Sequence, residues 1–318
     1  GSAIADASAT GSVLIPAMKK DGYPAPYSAA IVAAAATIGP IIPPSIPMVI
    51  YGLLVNVSIG KLFLAGAVPG FLMGLYLIIA SYLISKKRNF PARPRAMFKQ
   101  MVWAFLRSSF AIMMPLIIIL GIVLGIVTPT EAGVVAVFYA LFVGLFIYRE
   151  LHWKDVPKIF KDSMLSSSYI MIILASSGVF SWLIASMGAG EILARFFTSI
   201  STNKWVILAI LNVFFLLWGC LLDPNTGLVV VVPMLMPLIE KLGIDPVHFG
   251  VVIILNLMIG LVTPPVGFLA YLTTTIAGAK FEQVVKESWV FILALILALL
   301  TSTFFPDIVM WLPRTLMG

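Results

Sequence analysis

The residues with chemistry to offer in this chain are two carboxylates and two proline tandems. Asp6 and Asp223 each interrupt a run of small and apolar residues, and Pro43-Pro44 and Pro264-Pro265 each break another. An aspartate inside an apolar segment of membrane-spanning length costs roughly 2.5–3.5 kcal/mol on insertion scales, so it needs a partner or a wet cavity. It suits a helix N-cap equally well, where it accepts backbone amide hydrogens, and one residue can do both. A proline removes an amide donor and collides with the preceding turn, so a tandem unwinds the helix around it. Unwound backbone at membrane depth persists only where it is buried or lines a cavity. Its freed carbonyls are hard oxygen ligands suited to a small cation such as sodium. A plain kink between packed helices needs only one proline, which favours a site over a kink.

Little else carries chemistry. His152 and His248 lie far apart, and neither a metal nor a proton-relay role is expected of them. Cys220 is the single cysteine, which excludes an intrachain disulfide and a cysteine-based metal cluster, and it reads as small apolar filler. No nucleophile with its base, no H-E-x-x-H spacing and no phosphate-binding loop occurs, so a membrane-embedded enzyme is disfavoured and no cofactor is expected. Glu131, in Thr128-Pro129-Thr130-Glu131-Ala132-Gly133, reads as a helix-start residue favoured by the macrodipole.

The elements that must hold these residues are set by composition. Of 318 residues, 61% are hydrophobic and 10% charged, against roughly 25% charged in ordinary soluble domains. Only a bilayer can solvate so much apolar surface, so the fold class is an all-α polytopic membrane protein. Apolar stretches of spanning length fall near 27–59, 62–85, 108–127, 132–148, 163–187 and 287–311, with a pair near 205–221 and 225–239 and a broken span near 246–278. Met97–Arg107 and Trp153–Asp162 mix bulky apolar and basic residues and read as amphipathic segments in the headgroup layer or as solvated loops.

Lys19 and Lys20 form one basic cluster, and Lys86, Lys87, Arg88, Arg93, Arg95, Lys99 and Arg107 a second. Arg149, Lys154, Lys158 and Lys161 form a third, and Lys280 and Lys286 a fourth. Together they hold 15 of the 20 Lys and Arg residues. Two crossings separate each cluster from the next if the segments at 205–239 enter and leave on one face. All four clusters then share a side, which is cytoplasmic by the positive-inside rule. The net charge of +7 therefore reports orientation in a membrane and not nucleic-acid binding.

The chain also resembles itself. Gly22 through Pro44 aligns with Gly243 through Pro265 at an offset of 221, superposing Gly22 on Gly243, Gly39 on Gly260 and both proline pairs. Upstream, Asp6 and Pro16 match Asp223 and Pro233 at an offset of 217. An odd number of crossings separates the copies, which makes them inverted repeats, an architecture of secondary transporters that bind substrate near the midplane. Each copy is expected to hold a re-entrant helical hairpin, with tips at Gly1–Gly11 and Leu222–Gly227, and a proline-broken helix. The first copy lacks a counterpart of 151–218, which predicts an N-terminal truncation.

Four segments carry a family resemblance: Gly1–Gly11, Ile38–Gly52, Gly125–Gly133 and Leu261–Gly267. Together they resemble the large membrane subunit of the tripartite ATP-independent periplasmic (TRAP) transporters, DctM-like, over essentially the whole chain. The resemblance implies sodium-driven import of small organic acids, C4-dicarboxylates or related carboxylates, across the bacterial inner membrane by an elevator-like movement. It implies a small membrane subunit and a periplasmic substrate-binding protein as partners. Carried over by residue, it puts one sodium site at Ser2, Asp6, Gly39, Ile42 and Pro44 and a second at Asn225, Thr226, Gly260 and Thr263, with Ser45 and Asp223 near the substrate. On this reading sodium orders the tips, whose amides and hydroxyls then receive the anion. The transport domain takes in 1–60 and 188–284, and the scaffold 61–187 and 285–318. A stand-alone sodium–anion symporter of similar fold is the alternative. An ATP-driven permease subunit, whose ATPase would be another chain, sits poorly with paired hairpins.

Overall fold

The computed structural model describes the backbone of residues 1–91 and 97–318, and the side chains of all of these except 173, 174, 177, 178, 180–182, 184, 185, 189, 190 and 194. Arg93 and Arg95 of the second basic cluster lie outside the described residues. The described elements are α1 (Ala3–Lys20), α2 (Ala25–Ala36), α3 (Ile46–Val55), α4 (Ile59–Arg88), α5 (Phe98–Val123), α6 (Pro129–Phe142), α7 (Val156–Ser186), α8 (Ala189–Ile200), α9 (Lys204–Leu221), α10 (Pro224–Thr226), α11 (Val232–Lys241), α12 (Pro246–Gly260), α13 (Phe268–Ala277), α14 (Phe281–Phe304) and α15 (Pro306–Met317). π-Turns extend α6 over Val143–Ile147 and join α10 to α11 over Gly227–Val231.

No strand occurs among the described residues, as hydrocarbon demands of a chain whose backbone groups must pair within each segment. Among the described residues five helices are long and apolar enough to cross a membrane: α4, α5, α6 with its π-turn, α9 and α14. The apolar run at 27–59 resolves into two short helices, α2 and α3, and the run at 246–278 into α12 and α13. Pro264 stands four residues after Gly260, the end of α12, and Pro40, ahead of the first tandem, stands four residues after Ala36, the end of α2, which is the reach of the ring clash. Met97–Arg107 is neither a separate surface segment nor a loop: residues 98–107 are the first turns of the continuous α5. The aromatic and aliphatic residues between its basic positions keep the helical pattern unbroken into the span.

Packing divides the chain into two units, residues 1–91 with 180–318, and 92–179. In the second unit α5 lies against α6, with Tyr139 Oη donating to the Phe110 carbonyl at 2.8 Å and Tyr148 Oη to the Arg107 carbonyl at 2.8 Å. Glu131 accepts from Thr128 N at 2.8 Å while Thr128 Oγ1 accepts from Glu131 N at 3.3 Å, the reciprocal capping box.

The first unit is built around α12, in which every residue from Val247 to Gly260 is buried. It packs on α9, α4, α14 and α3. A helix apolar on all sides must be enclosed on all sides. The post-break helices cross over between the two proline segments. Helix α13 packs on α1 and α2, while α3 packs on α12, α11 and the π-turn at Gly227–Val231. Lys19 Nζ donates to the Ala277 carbonyl at 2.8 Å, and Tyr51 Oη to the Pro246 carbonyl at 2.6 Å, so each crossover is tied by a hydrogen bond.

Candidate functional site

Local geometry repeats between the two proline segments. Gly22 donates to Lys19 O and Tyr23 to Met18 O, and Gly243 donates to Glu240 O and Ile244 to Ile239 O. These are Schellman caps, each with glycine at positive φ (90° at Gly22, 63° at Gly243). Further on, Ile41 N donates to Ile38 O at 2.9 Å and Val262 N to Ile259 O at 3.2 Å, and the Pro43–Pro44 and Pro264–Pro265 peptides are both cis. The helix starts differ from the expected register. Ser2 caps α1 and Asp223 caps α10, each the same number of positions before its Schellman glycine. By cap position Asp223 stands with Ser2, 221 residues apart, while Asp6 lies inside the first turn of α1. The expected tip Gly1–Gly11 is correspondingly short: helix begins at Ala3 and runs through Gly11, because Ser2 already supplies the cap.

At the first break, Ser2 Oγ accepts from Ala5 N at 3.5 Å, and Asp6 lies in the first turn of α1, where the helix terminus favours a carboxylate. The Asp6 carboxylate rests on Gly39, so that a methyl group at Gly39 would overlap it. A Cβ at Gly1 would lie 2.6 Å from the Pro44 carbonyl oxygen. The structure thus brings Ser2, Asp6, Gly39 and Pro44 together. Ile42 places its side chain against Gly70 of α4, so any ligand group it offers is its carbonyl. Ser45 is 1% exposed; its hydroxyl donates to the Pro40 carbonyl and accepts from Met48 N at 3.2 Å, capping α3.

At the second break, Asp223 is exposed and its carboxylate accepts from Thr226 N at 3.0 Å and Thr226 Oγ1 at 3.4 Å. Asn225 and Thr226 are half-buried. Thr263 Oγ1 donates to Ile259 O at 2.7 Å, and Thr263 N donates to Gly260 O at 3.0 Å. Helices α9 and α12 touch backbone to backbone at Gly219 and Gly260. Buried Cys220 sits beside the Thr263 hydroxyl, within hydrogen-bond reach of it. Among the described residues no hydrogen bond joins Asn225 or Thr226 to Gly260 or Thr263. The tip meets α12 through Gly227, where a Cβ would lie 3.2 Å from Leu257 Cδ2. Because α3 begins at Ser45 and packs on the π-turn that follows Asp223, the elements bearing these two residues adjoin.

Among the described residues no group of three or more His, Cys, Asp and Glu could hold a metal ion. The donors at both breaks are carboxylate, hydroxyl, amide and carbonyl oxygens. That set suits a hard cation, and unwound carbonyls with half-helix ends are where membrane transporters bind sodium.

Sequence reasoning missed a buried polar ladder behind the breaks. Asn256 Nδ2 donates to Asn212 Oδ1 at 2.8 Å, and Asn212 Nδ2 donates to Thr303 Oγ1 at 3.0 Å, joining α12, α9 and α14. His248 Nε2 contacts Ser302 O at 2.8 Å, and Asn256 Oδ1 has no hydrogen-bond partner among the described residues. The signal was present, since Asn212 and Asn256 interrupt apolar spans as Asp6 and Asp223 do.

A family model described as "Tripartite ATP-independent periplasmic transporter, DctM component" matches residues 1–308. The sialic acid TRAP transporter large permease protein SiaM of Vibrio cholerae is 36% identical over 318 residues, covering 100% of this chain and 74% of the relative. The C4-dicarboxylate TRAP transporter large permease protein DctM of Pseudomonas aeruginosa is 33% identical over 316 residues, 99% of this chain and 74% of the relative. The 2,3-diketo-L-gulonate TRAP transporter large permease protein YiaN of Escherichia coli is 35% identical over 309 residues, 97% and 73%.

Proposed function

The chain belongs to the DctM component family of tripartite ATP-independent periplasmic transporters, and from that membership we propose that it is the large permease subunit of a sodium-coupled importer of small organic acids. As in the rest of its family, it is a multi-pass inner-membrane transport protein and not an enzyme. The substrate class follows from what its relatives' names share. Sialic acid, C4-dicarboxylates and diketogulonate are carboxylates and isethionate is a sulfonate, so what the names share is a small organic anion. A small membrane subunit and a periplasmic binding protein complete the system.

The observation that carries the reading is that another segment is seated on each break, the first turn of α1 on Gly39 through Asp6 and the last turn of α9 on Gly260 through Gly219. Ser2, Asp6 and the carbonyls of Gly39, Ile42 and Pro44 would hold one sodium ion. The second would lie between the tip residues Asn225 and Thr226 and the break at Gly260 and Thr263. Sodium there supplies positive charge beside the tips. Asp223 and Thr226 order the start of α10, whose amide end faces an anion favourably, and Ser45 fixes the start of α3 beside it. The matched Schellman caps, the matched break hydrogen bonds and the crossover of α3 and α13 support an inverted repeat. Such repeats transport by moving one packed domain against another.

The test is uptake into proteoliposomes holding the complete large subunit and its small partner, with and without a sodium gradient and the binding protein. Uptake that requires both is expected. Uptake that needs sodium and no binding protein would make the protein a stand-alone symporter, and uptake indifferent to sodium would refute the coupling. Asp223→Ala is expected to lower uptake or its sodium dependence while membrane insertion is unchanged.

A further inference from the structure

The flank of the first unit carries a groove unconnected with the two breaks. Helices α4 and α14 pack along their length, and where Ala80 meets Ala294 the small side chains leave a channel of about 380 Å³ open along one side. Its walls are aliphatic: Ile79 and Leu83 from α4, Val290, Leu293 and Leu297 from α14. All five are exposed, from 45% at Val290 to 59% at Leu83. Lys87 closes one end and Tyr76 the other, where Tyr76 Oη lies 3.4 Å from Thr301 Oγ1.

The length and the charge of this groove point to its occupant. From Tyr76 to Lys87, α4 rises about 16 Å at 1.5 Å per residue, close to half of the roughly 30 Å hydrocarbon core of a bilayer. The groove is thus one leaflet deep. Its charged end is the end of α4, where Lys86, Lys87 and Arg88 stand together and where α14 brings Lys286 and Glu287. Arg88 Nη1 pairs with Glu287 Oε1 at 2.8 Å, which uses that carboxylate. Lys86 and Lys87 are exposed and have no ion-pair partner among the described residues. With Glu287 neutralised, the remaining charge at this end is positive. Basic side chains at a helix end attract anionic headgroups of the cytoplasmic leaflet, and lysine stems can lie along apolar surface while the ammonium reaches the headgroup layer.

We propose that the α4–α14 groove binds one anionic phospholipid of the cytoplasmic leaflet, an acyl chain lying over Ala80 and Ala294 and the phosphate held by Lys87 with Lys86. A zwitterionic phospholipid would offer a phosphate too, but its own headgroup cation offsets that charge and leaves the basic end net positive, whereas an anionic one neutralises it. A protein helix would need to narrow to fit a channel of this volume, and it would leave the basic end equally unmatched unless it carried acidic residues there.

The experiment is native mass spectrometry of the complete subunit, purified with whatever chains remain bound. It is titrated with phosphatidylglycerol and, separately, with phosphatidylethanolamine of the same acyl chains. Preferential retention of phosphatidylglycerol is expected. Lys87→Gln should weaken that retention about fivefold, the scale of one basic side chain at an anionic surface, and Lys87→Arg should restore it. Lys154→Gln, in the other packing unit, should leave it unchanged. Equal retention of the two lipids, or a loss at Lys154→Gln matching that at Lys87→Gln, overturns the proposal. A second readout separates lipid from protein. Cys220 is buried, so a photoreactive label on Leu293→Cys reports on the groove. Cross-linking to phospholipid supports the assignment, and cross-linking to a polypeptide overturns it.

Discussion

Replacing Gly219 by alanine tests the backbone contact on which the second break depends. A Cβ at Gly219 would lie 2.8 Å from Leu257 O, 3.0 Å from Leu257 Cα and 3.2 Å from Gly260 Cα. All three are main-chain atoms of a buried helix, so no side chain can rotate aside and α9 must move away from α12. Overpacking of this kind costs about 1–3 kcal/mol. Against it stands the gain of about 1 kcal/mol that alanine brings over glycine inside a helix. Gly74→Ala isolates the clash. Gly74 also lies inside a helix of the first unit, and its Cβ would meet only Ile38 Cδ1, at 4.0 Å. The two variants share the propensity gain, so their difference in stability is the clash alone. At roughly 2–4 °C per kcal/mol for a domain of this size, Gly219→Ala should melt about 2–12 °C below Gly74→Ala. Intrinsic tryptophan fluorescence in detergent reads the transition, and the thiol of the neighbouring Cys220 should label faster in Gly219→Ala alone. Equal melting temperatures for the two variants would refute the close approach of α9 and α12. The inference that Gly260 is held in place by α9 would fall with it.

Asn212→Val removes the acceptor of Asn256 and the donor to Thr303, and should cost about 0.6–2 kcal/mol, the range for interhelical hydrogen bonds in bilayers. A double-mutant cycle with Thr303→Val in the same melting assay should show coupling, and additivity would argue against the ladder. Ser45→Ala removes the cap of α3 and a buried donor to Pro40, for a loss of about 0.5–2 kcal/mol. If the residue acts only as a cap, Ser45→Thr should restore melting and uptake together; restored melting without restored uptake would mark a contact to substrate. Glu131→Ala opens a capping box in the second packing unit and should lower the melting temperature by the equivalent of about 1 kcal/mol, leaving the sodium dependence of uptake unmoved. A change in that dependence would give Glu131 a part in coupling that its hydrogen bonds do not suggest.

Much of the protein was legible in the sequence because the signals were local. Apolar runs of spanning length and sparse charge required helices in a bilayer, and Pro40 and Pro264 each end a helix four residues before them, since ring and missing amide act within one turn. Glu131 was legible as a helix-start residue, to which the structure adds the reciprocal bonds with Thr128, and the 221-residue offset that the glycines and prolines suggested recurs in the hydrogen bonds at Gly22 and Gly243. The sequence pairing of Asp6 with Asp223 rested on residue type, an aspartate being more conspicuous than a serine, whereas the residues that cap are Ser2 and Asp223.

What the sequence could not decide was which distant segments meet. That Asp6 lies on Gly39, that Gly219 lies on Gly260, and that α3 and α13 each pack on the other copy are choices made by packing. They depend on where two helix surfaces allow close approach, and a glycine permits such an approach without naming its partner. The Asn212–Asn256–Thr303 ladder belongs to the same class, for a polar residue in an apolar helix demands a hydrogen bond. Only the tertiary fold supplies the group that makes it.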